Sequence, residues 1–236
     1  MFSESADLYD AIYSAFKDYP AEATRIAAEI RAVHPQVRTV LDVACGTGEH
    51  VKLLRSQSGL AVDGLDLDAG LLAVARRKAP AAEFFEADMS NFELEHRYDA
   101  IVCLFSSIGY LRTLDRITSA LTCFRRHLNA PGVVVVEPWF GPGALRLGTG
   151  DTRHADANGV RVARTSHVSV SGQLSTLTFD YEITSESGVR KVRETHELGL
   201  FTPDEMLSSF RAAGLTATFD PDGLTGRGLY VARVAR

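Results

Sequence analysis

The chain predicts an α/β protein built on a doubly wound parallel sheet, and three observations carry that expectation. Aliphatic, β-branched runs alternate with stretches of helical periodicity from Thr39 to Glu137, and a parallel sheet with helices on both faces is the packing that such alternation calls for. Residues 100–105 are almost wholly apolar, as a strand buried on both faces should be. Small or acidic residues close the first three strands, at the sheet edge where this architecture binds ligands.

Taken in order, Pro20 opens an amphipathic helix over 21–33, with Ala23, Ile26, Ala27, Ile30 and Val33 on one stripe and Pro35 beyond its end. Strand one is 39–43, and the helix after Gly48 carries Val51, Leu53 and Leu54 as far as Gly59. Strand two is 61–67; Asp68 caps a helix through Leu71, Leu72, Val74 and Ala75. Strand three, 83–87, is short. Strand four is 100–105, and a helix over 115–128 leads through Pro131-Gly132 to strand five, 133–137. The pattern then changes. Period-two alternation over 160–162, 167–170, 175–183 and 192–200, with turns at Ser171-Gly172 and Ser187-Gly188, predicts an antiparallel β lobe. Thr202-Pro203-Asp204-Glu205 supplies an N-cap, a first-turn proline and a capping-box glutamate, and Gly214 ends that helix. Strands over 217–219 and 228–234 close the sheet.

Composition bounds the function. The 236 residues suffice for one well-filled domain, and 45% hydrophobic with 23% charged content is ordinary globular composition. A net charge of −5 gives no support to a nucleic-acid surface, and Arg76-Arg77-Lys78 and Arg125-Arg126 read as solvated helix faces. Cys45, Cys103 and Cys123 are odd in number and lack C-x-x-C spacing, which reads as buried thiols in a reducing compartment. The seven histidines show no zinc-ligand spacing, so no metal is expected. No secretory signal is read before the acidic N-terminal stretch, and no apolar run approaches the roughly 18 residues of a membrane span. The expectation is a cytoplasmic protein that does not enter the membrane.

The most informative segment is Thr39–Glu49. Small residues at Ala44, Gly46 and Gly48 follow Asp42, in an A-x-G-x-G pattern that ends where a helix begins. A dinucleotide site wants G-x-G-x-x-G, and the third glycine is missing at that spacing. A ligand that joins an amino acid to a nucleoside suits the loop better. Its carboxylate meets backbone N–H groups, and its ammonium is drawn to a nearby acid; S-adenosylmethionine fits that description. Asp66 ends strand two, where acids accept bonds from ribose hydroxyls, with Leu67 beside it. Asp88 follows strand three, placed to accept an adenine amino group, with Met89 against the ring.

With these motifs in hand, the chain resembles the class I S-adenosylmethionine-dependent methyltransferases. It is most similar to the N,N-dimethyltransferases of nucleotide-linked amino sugars, of the desosamine and mycaminose type. The resemblance rests on Leu8-Tyr9-Asp10, Lys17-Asp18-Tyr19, Leu41 through Gly48, Phe105-Ser106-Ser107-Ile108-Gly109-Tyr110, Gly132 through Trp139, and Gly226-Arg227-Gly228-Leu229. It implies a Rossmann-like seven-stranded methyltransferase sheet with its last strand antiparallel, an added β lobe and a homodimer. The chain then divides into an N-terminal helical cap (1–35), a cofactor-binding core (36–139 and 201–236) and the lobe (140–200). It also implies that Leu104, Phe105 and Ser106 line the cofactor, while Tyr19 and Arg227 face the acceptor, Arg227 near its diphosphate. An arginine's planar fork suits phosphate oxygens. Two segments depart from the family pattern: Ser14-Ala15-Phe16 where the sugar enzymes are glycine-rich, and Phe140-Gly141-Pro142-Gly143 after Trp139 where they carry a second tryptophan. Both would lie near the acceptor.

Methyl transfer is an in-line displacement at an activated carbon, so alignment is the enzyme's main task. A neutral amine needs only a modest proton acceptor. Tyr110 and Glu137, at the ends of strands four and five, are the candidates for proton handling. Tyr13 is placed to close the N-terminal helix over the site, and Trp139 to line it. His167 and His196 approach from the lobe, where inter-strand roles also suit them. Three other readings stay open: methylation of a hydroxyl on another natural product, a non-catalytic S-adenosylmethionine-binding protein, and an NAD-dependent oxidoreductase, which the loop spacing disfavours.

Overall fold

The computed structural model describes residues 10, 12, 13, 17–157 and 159–235. Its first long helix, α1 (Tyr19–Val33), begins two residues before the expected start because the Asp18 carboxylate accepts from Ala21 N at 3.0 Å and Pro20 fits the first turn. There follow β1 (Thr39–Val43), α2 (Glu49–Ser58), β2 (Ala61–Asp66), α3 (Ala69–Lys78), β3 (Phe84–Glu86) and β4 (Tyr98–Cys103). Next come α4 (Leu114–Arg126), β5 (Leu128–Val136), β6 (Gly148–Ala157), β7 (Val160–Ser171), β8 (Leu174–Ser185), β9 (Gly188–Gly199), α5 (Pro203–Ala212), β10 (Leu215–Asp220) and β11 (Leu229–Val234).

Seven strands form one sheet in the order β10-β11-β5-β4-β1-β2-β3. β1 to β5 run parallel, while β11 lies antiparallel between β10 and β5. Strand alternation divides the interior into two cores. Val40, Val62, Val102, Val133 and Val135 pack against Ile26, Leu54 and Leu72 of α1, α2 and α3. Leu41, Leu65, Ile101, Val134 and Val136 pack against Ile117 and Phe124 of α4 and Phe210 of α5. Each fully buried side chain of this size stabilises by about 1.5–3 kcal/mol relative to exposure. This doubly packed sheet is the rigid base of the site.

The strand boundaries differ from expectation in physically instructive ways. β4 leaves the sheet at Leu104 and enters a 3₁₀ helix, Ser107–Leu111, that the sequence reading did not include. β5 begins at Leu128, with Pro131-Gly132 inside it at an irregularity where neither ladder pairs residues 129–132. A proline without an N–H is harmless there.

The second sheet has the order β6-β7-β8-β9, antiparallel throughout. β6 was not among the expected strands, since it carries Gly148 and Gly150 and no apolar alternation. The expected segments 160–162 and 167–170 are one strand, β7, because Arg164 and Ser166 occupy inward positions that the pattern read as polar. β9 packs on the 3₁₀ helix and brings this sheet over the carboxyl ends of the core strands.

Candidate active site

Three contiguous cavities follow the carboxyl edge of the parallel sheet. A cleft of about 510 Å³ is lined by Asp66, Leu67, Asp88, Met89 and Tyr110, with Glu197 across from them. A narrow throat of about 40 Å³ lies among Tyr19, Asp42, Ala44, Gly46, Thr47 and Leu104. A second cavity of about 510 Å³ opens under the β lobe, between Tyr13, Phe105, Trp139, Arg164 and Arg227. Ser107 lines all three, and Tyr110 and His196 form the wall common to the two large ones.

The loop after β1 is shaped by backbone conformation. Ala44, Gly46 and Gly48 all have positive φ, at 59°, 57° and 75°. A Cβ on Gly46 would meet nothing within 4 Å, so its backbone lies open to the cavities; one on Gly48 would stand 2.9 Å from Ala75 Cβ, so Gly48 lets α3 pack against the loop. Asp66 braces this turn: its carboxylate accepts from Gly46 N at 2.8 Å and Asp68 N at 2.9 Å. Burial outweighs these bonds and raises the Asp66 carboxyl above its ordinary value. Thr47 Oγ1 donates to Asp10 at 2.6 Å and accepts from Lys78 Nζ at 3.1 Å, tying the N-terminal helical residues to the loop.

Asp42 is buried, and its Oδ2 has no hydrogen-bond partner. Burial, then the neighbouring Asp66 charge, lifts its carboxyl well above the usual carboxylate range. A buried acid without a partner, facing the throat, is suited to receive a cation. At the other end, Leu67 leaves 52% of its surface exposed in the cleft, where a flat ring can cover it. Asp88 Oδ1 accepts from Ser90 N and Oγ at 2.8 and 2.7 Å, and Arg116 donates to Oδ2 at 2.8 Å. Burial presses this carboxyl upward, but the Ser90 bonds and the Arg116 charge outweigh it and hold the group low. An ammonium site, an open backbone cradle, an acid beside Leu67 and an acid beside Met89 together fit S-adenosylmethionine from its amino-acid end to its adenine.

The loop after β4 is also strained: Phe105 and Ser106 have φ of 51° and 66°, and Arg112, which ends the 3₁₀ helix, has 62°. With Ala44, these are the positive-φ non-glycine residues among those described, and all four line the cavities. Such conformations cost about 1–3 kcal/mol each. Glu137, fully buried, holds the turn by accepting from Phe105 N at 2.7 Å, Thr225 Oγ1 at 2.7 Å and Arg227 Nη2 at 3.1 Å. Both its oxygens are thus engaged, so its geometry is that of a brace, not of the proton acceptor the sequence suggested. Arg227 Nε has no hydrogen-bond partner, and its guanidinium lies 5.1 Å from the Phe105 ring centre.

Other expected positions are redistributed. Tyr19 lines the throat on the cofactor side and packs edge-on against His50, so it does not face the acceptor cavity as expected, because α1 directs its first turn toward α2. Ser106, expected at the cofactor, meets the acceptor cavity, and its hydroxyl donates to Pro138 O at 2.9 Å. Trp139 lines the cavity under the lobe, with Nε1 donating to Ser175 Oγ at 2.9 Å. Tyr13 packs its ring edge-on to Phe105, and burial, despite Arg164, raises its hydroxyl pKa. His167 bonds Thr149 and Asp180 in the second sheet and lies outside the cavities. The departure at Ser14-Ala15-Phe16 and the motif residues Leu8 and Tyr9 lie outside the described residues.

The sequence reading cited Lys17 only within a family motif, without a role, and missed Arg164 and Glu194. Lys17 Nζ lies 2.7 Å from Glu22 Oε2 and 3.8 Å from the Phe105 ring centre; burial outweighs Glu22 and lowers its pKa. Arg164 and Glu194 are buried on the lobe's inner face. For Arg164 and Glu194 the available signal was parity: a charged residue at the inward position of an alternating strand, as in the step from Val162 to Arg164 or from Val192 to Glu194 to His196, is a polar group aimed at the interior.

This combination of fold, glycine loop and paired acids defines a class I S-adenosylmethionine-dependent methyltransferase, and a methyltransferase-domain family model matches residues 40–132. The chain is 40% identical over 234 residues to the dTDP-3-amino-3,6-dideoxy-alpha-D-glucopyranose N,N-dimethyltransferase of Streptomyces fradiae, across 96% of this chain and 89% of that one. Its fold superposes on Streptomyces venezuelae DesVI with a TM-score of 0.91, at 37% identity and 98% coverage of both chains. CalS10, an amino pentose methyltransferase from Micromonospora echinaspora solved with S-adenosylmethionine bound, gives 0.86 at 33% identity and 96% coverage of both. The chain belongs to the family of amino-sugar N,N-dimethyltransferases. Its cofactor is S-adenosylmethionine and its product S-adenosylhomocysteine.

Proposed function

We propose that the protein methylates the amino group of a nucleotide-linked deoxyamino sugar, of the dTDP type on which its Streptomyces fradiae relative acts. The observation that carries this reading is the cavity under the lobe. It meets the cofactor cleft at Ser107, Tyr110 and His196, and Arg153, Arg164 and Arg227 line it. Three guanidinium groups in one cavity of a net-acidic chain suit a diphosphate.

Bound S-adenosylmethionine supplies a methyl carbon activated by its sulfonium. Asp66 has lone pairs left for the ribose, and Asp88 with Met89 receives adenine. Asp42 neutralises the ammonium from beneath the throat. Phe105 and Trp139 wall the sugar, Arg227 reaches the diphosphate, and Glu137 fixes both Phe105 and Arg227. Tyr110 stands in the wall where the two cavities meet, where it would face the methyl to be transferred. Assembly as a homodimer and a cytoplasmic location belong to the same reading. The free buried thiols Cys45, Cys103 and Cys123 support a reducing compartment, and no helix of the described residues is long and apolar enough to cross a membrane.

Mass spectrometry of products tests the reading. The purified protein with S-adenosylmethionine is expected to add one or two methyl masses to dTDP-linked 3-amino or 4-amino sugars, and none to the free sugars. Equal methylation of the free sugars would remove the diphosphate from recognition. No product from any of them would remove the amino-sugar acceptor.

A further inference from the structure

We infer that His196 is the proton sink of the active site, working through Tyr110, and that it strips the ammonium proton left after the first methyl transfer so that a second can follow. This inference rests on the amino-sugar reading above.

The geometry is a chain of three groups. Tyr110 Oη lies 3.0 Å from His196 Nδ1. On the far side of the ring, His196 Nε2 lies 3.8 Å from Glu194 Oε2, close enough for charge attraction and too long for a direct hydrogen bond. Both His196 and Glu194 are buried on the inner face of β9. A carboxylate beside Nε2 favours the neutral tautomer protonated there, which leaves Nδ1 to accept the Tyr110 hydroxyl proton. The Tyr110 oxygen then keeps its lone pairs for a donor in the cavity. Tyr110 and His196 occupy the wall common to the cofactor cleft and the acceptor cavity, where the reacting nitrogen must sit. Glu137, the other candidate, has both oxygens committed.

The step balances without a further reagent. As the N–CH3 bond forms, the S–CH3 bond breaks and its electron pair stays on sulfur. The new ammonium gives one N–H proton to Tyr110 Oη while the Tyr110 proton moves to His196 Nδ1. The result is a neutral monomethylamine and an imidazolium facing Glu194. Solvent recovers the proton when product leaves. Tyr110 touches the acceptor, so it is the catalytic residue; His196 acts through it as a positioning and proton-holding group. The other charged or titratable groups around this pair are Tyr13 from the N-terminal helical residues, Arg164 of β7, Tyr181 of β8 and Asp66 at the end of β2.

The test uses the whole enzyme and a monomethylated dTDP-amino sugar, with single-turnover conversion to the dimethyl product followed from pH 6 to 9 in the native chain, His196→Gln and Glu194→Gln. His196→Gln is expected to slow conversion at neutral pH by about 10²-fold or more, the lower range of acid–base catalysis. The loss should shrink as rising pH deprotonates the amine in solution, with acceptor KM little changed. Glu194→Gln should move the inflection of the profile to lower pH. In parallel, nitrogen NMR of histidine-labelled protein without substrate is expected to show His196 protonated at Nε2 when neutral, and Tyr110→Phe to shift its Nδ1 resonance. A pH-independent loss, an unchanged rate in His196→Gln, or a neutral His196 protonated at Nδ1 would overturn the inference. If the native chain methylates neither the amine nor its monomethyl form, the amino-sugar reading itself fails and this inference with it.

Discussion

The carboxyl edge of the parallel sheet and the inner face of the β lobe build two halves of one site by opposite means. The sheet edge works with backbone: positive-φ turns at Ala44, Gly46 and Gly48, N–H groups held by Asp66, and a short list of acids at strand ends. The lobe works with side chains: Arg164, Glu194 and His196 are buried inside a sheet whose other face is laced with exposed pairs such as Arg193–Asp180. Backbone geometry constrains which residues can stand at each step of the chain. Side-chain chemistry constrains only their direction. The first half is therefore rigid and common to many ligands of one class, while the second is free to define the acceptor.

Substitutions that separate the halves rank by how much they disturb. Gly48→Ala forces a Cβ to 2.9 Å from Ala75 Cβ at a φ of 75°; strain and overpacking together should cost about 2–5 kcal/mol. Its melting temperature should fall steeply and cofactor binding with it. Arg227→Ala acts on both halves, since it leaves the buried Glu137 without its cation. A loss of about 3–5 kcal/mol is expected in denaturant titration, and acceptor KM should rise most for substrates that carry a diphosphate.

Asp42→Asn sharpens the picture of the throat. Burial and the Asp66 charge raise the Asp42 carboxyl well above its ordinary value, so its contribution to stability is complete below the unfolded-state pKa, about 3.9. That contribution is lost as pH rises through the folded-state value. At pH 7 without cofactor, Asp42→Asn should therefore melt higher than the native chain, with the advantage vanishing toward pH 4. S-adenosylmethionine should bind the variant more weakly, by about 1.5–3 kcal/mol, the cost of a lost bond to a charged group. An unchanged melting temperature at both pH values would mean that Asp42 is not strained in the empty throat. At the other extreme, Arg193→Ala removes an exposed pair on the outer face of the lobe. It should leave both ligand affinities and the melting temperature within measurement error.

The same division explains what could be read from the chain beforehand. The parallel core, the capping box at Thr202 and Glu205, and the acids at 42, 66 and 88 were legible because each is a local pattern with a local cause. Strand β6 was not, since an edge strand of glycines and charges has no buried face to leave a hydrophobic period. The 3₁₀ turn at Ser107–Leu111 escaped for another reason: it is held by Glu137 and packed beneath β9, both far away in sequence. Likewise Tyr19 could be placed at the site from its position beside the cap, but which cavity it enters depends on how α1 meets α2. Glu137 showed itself as an acid at a strand end; only its three donors reveal it as a brace.

The most direct measurement crosses the two halves by calorimetric titration. S-adenosylhomocysteine and thymidine diphosphate would each be titrated into Asp66→Ala and Arg164→Ala. The division of labour predicts that Asp66→Ala loses about 1–3 kcal/mol of affinity for S-adenosylhomocysteine and little for thymidine diphosphate, and that Arg164→Ala does the reverse. Equal losses of both ligands in either variant would contradict it.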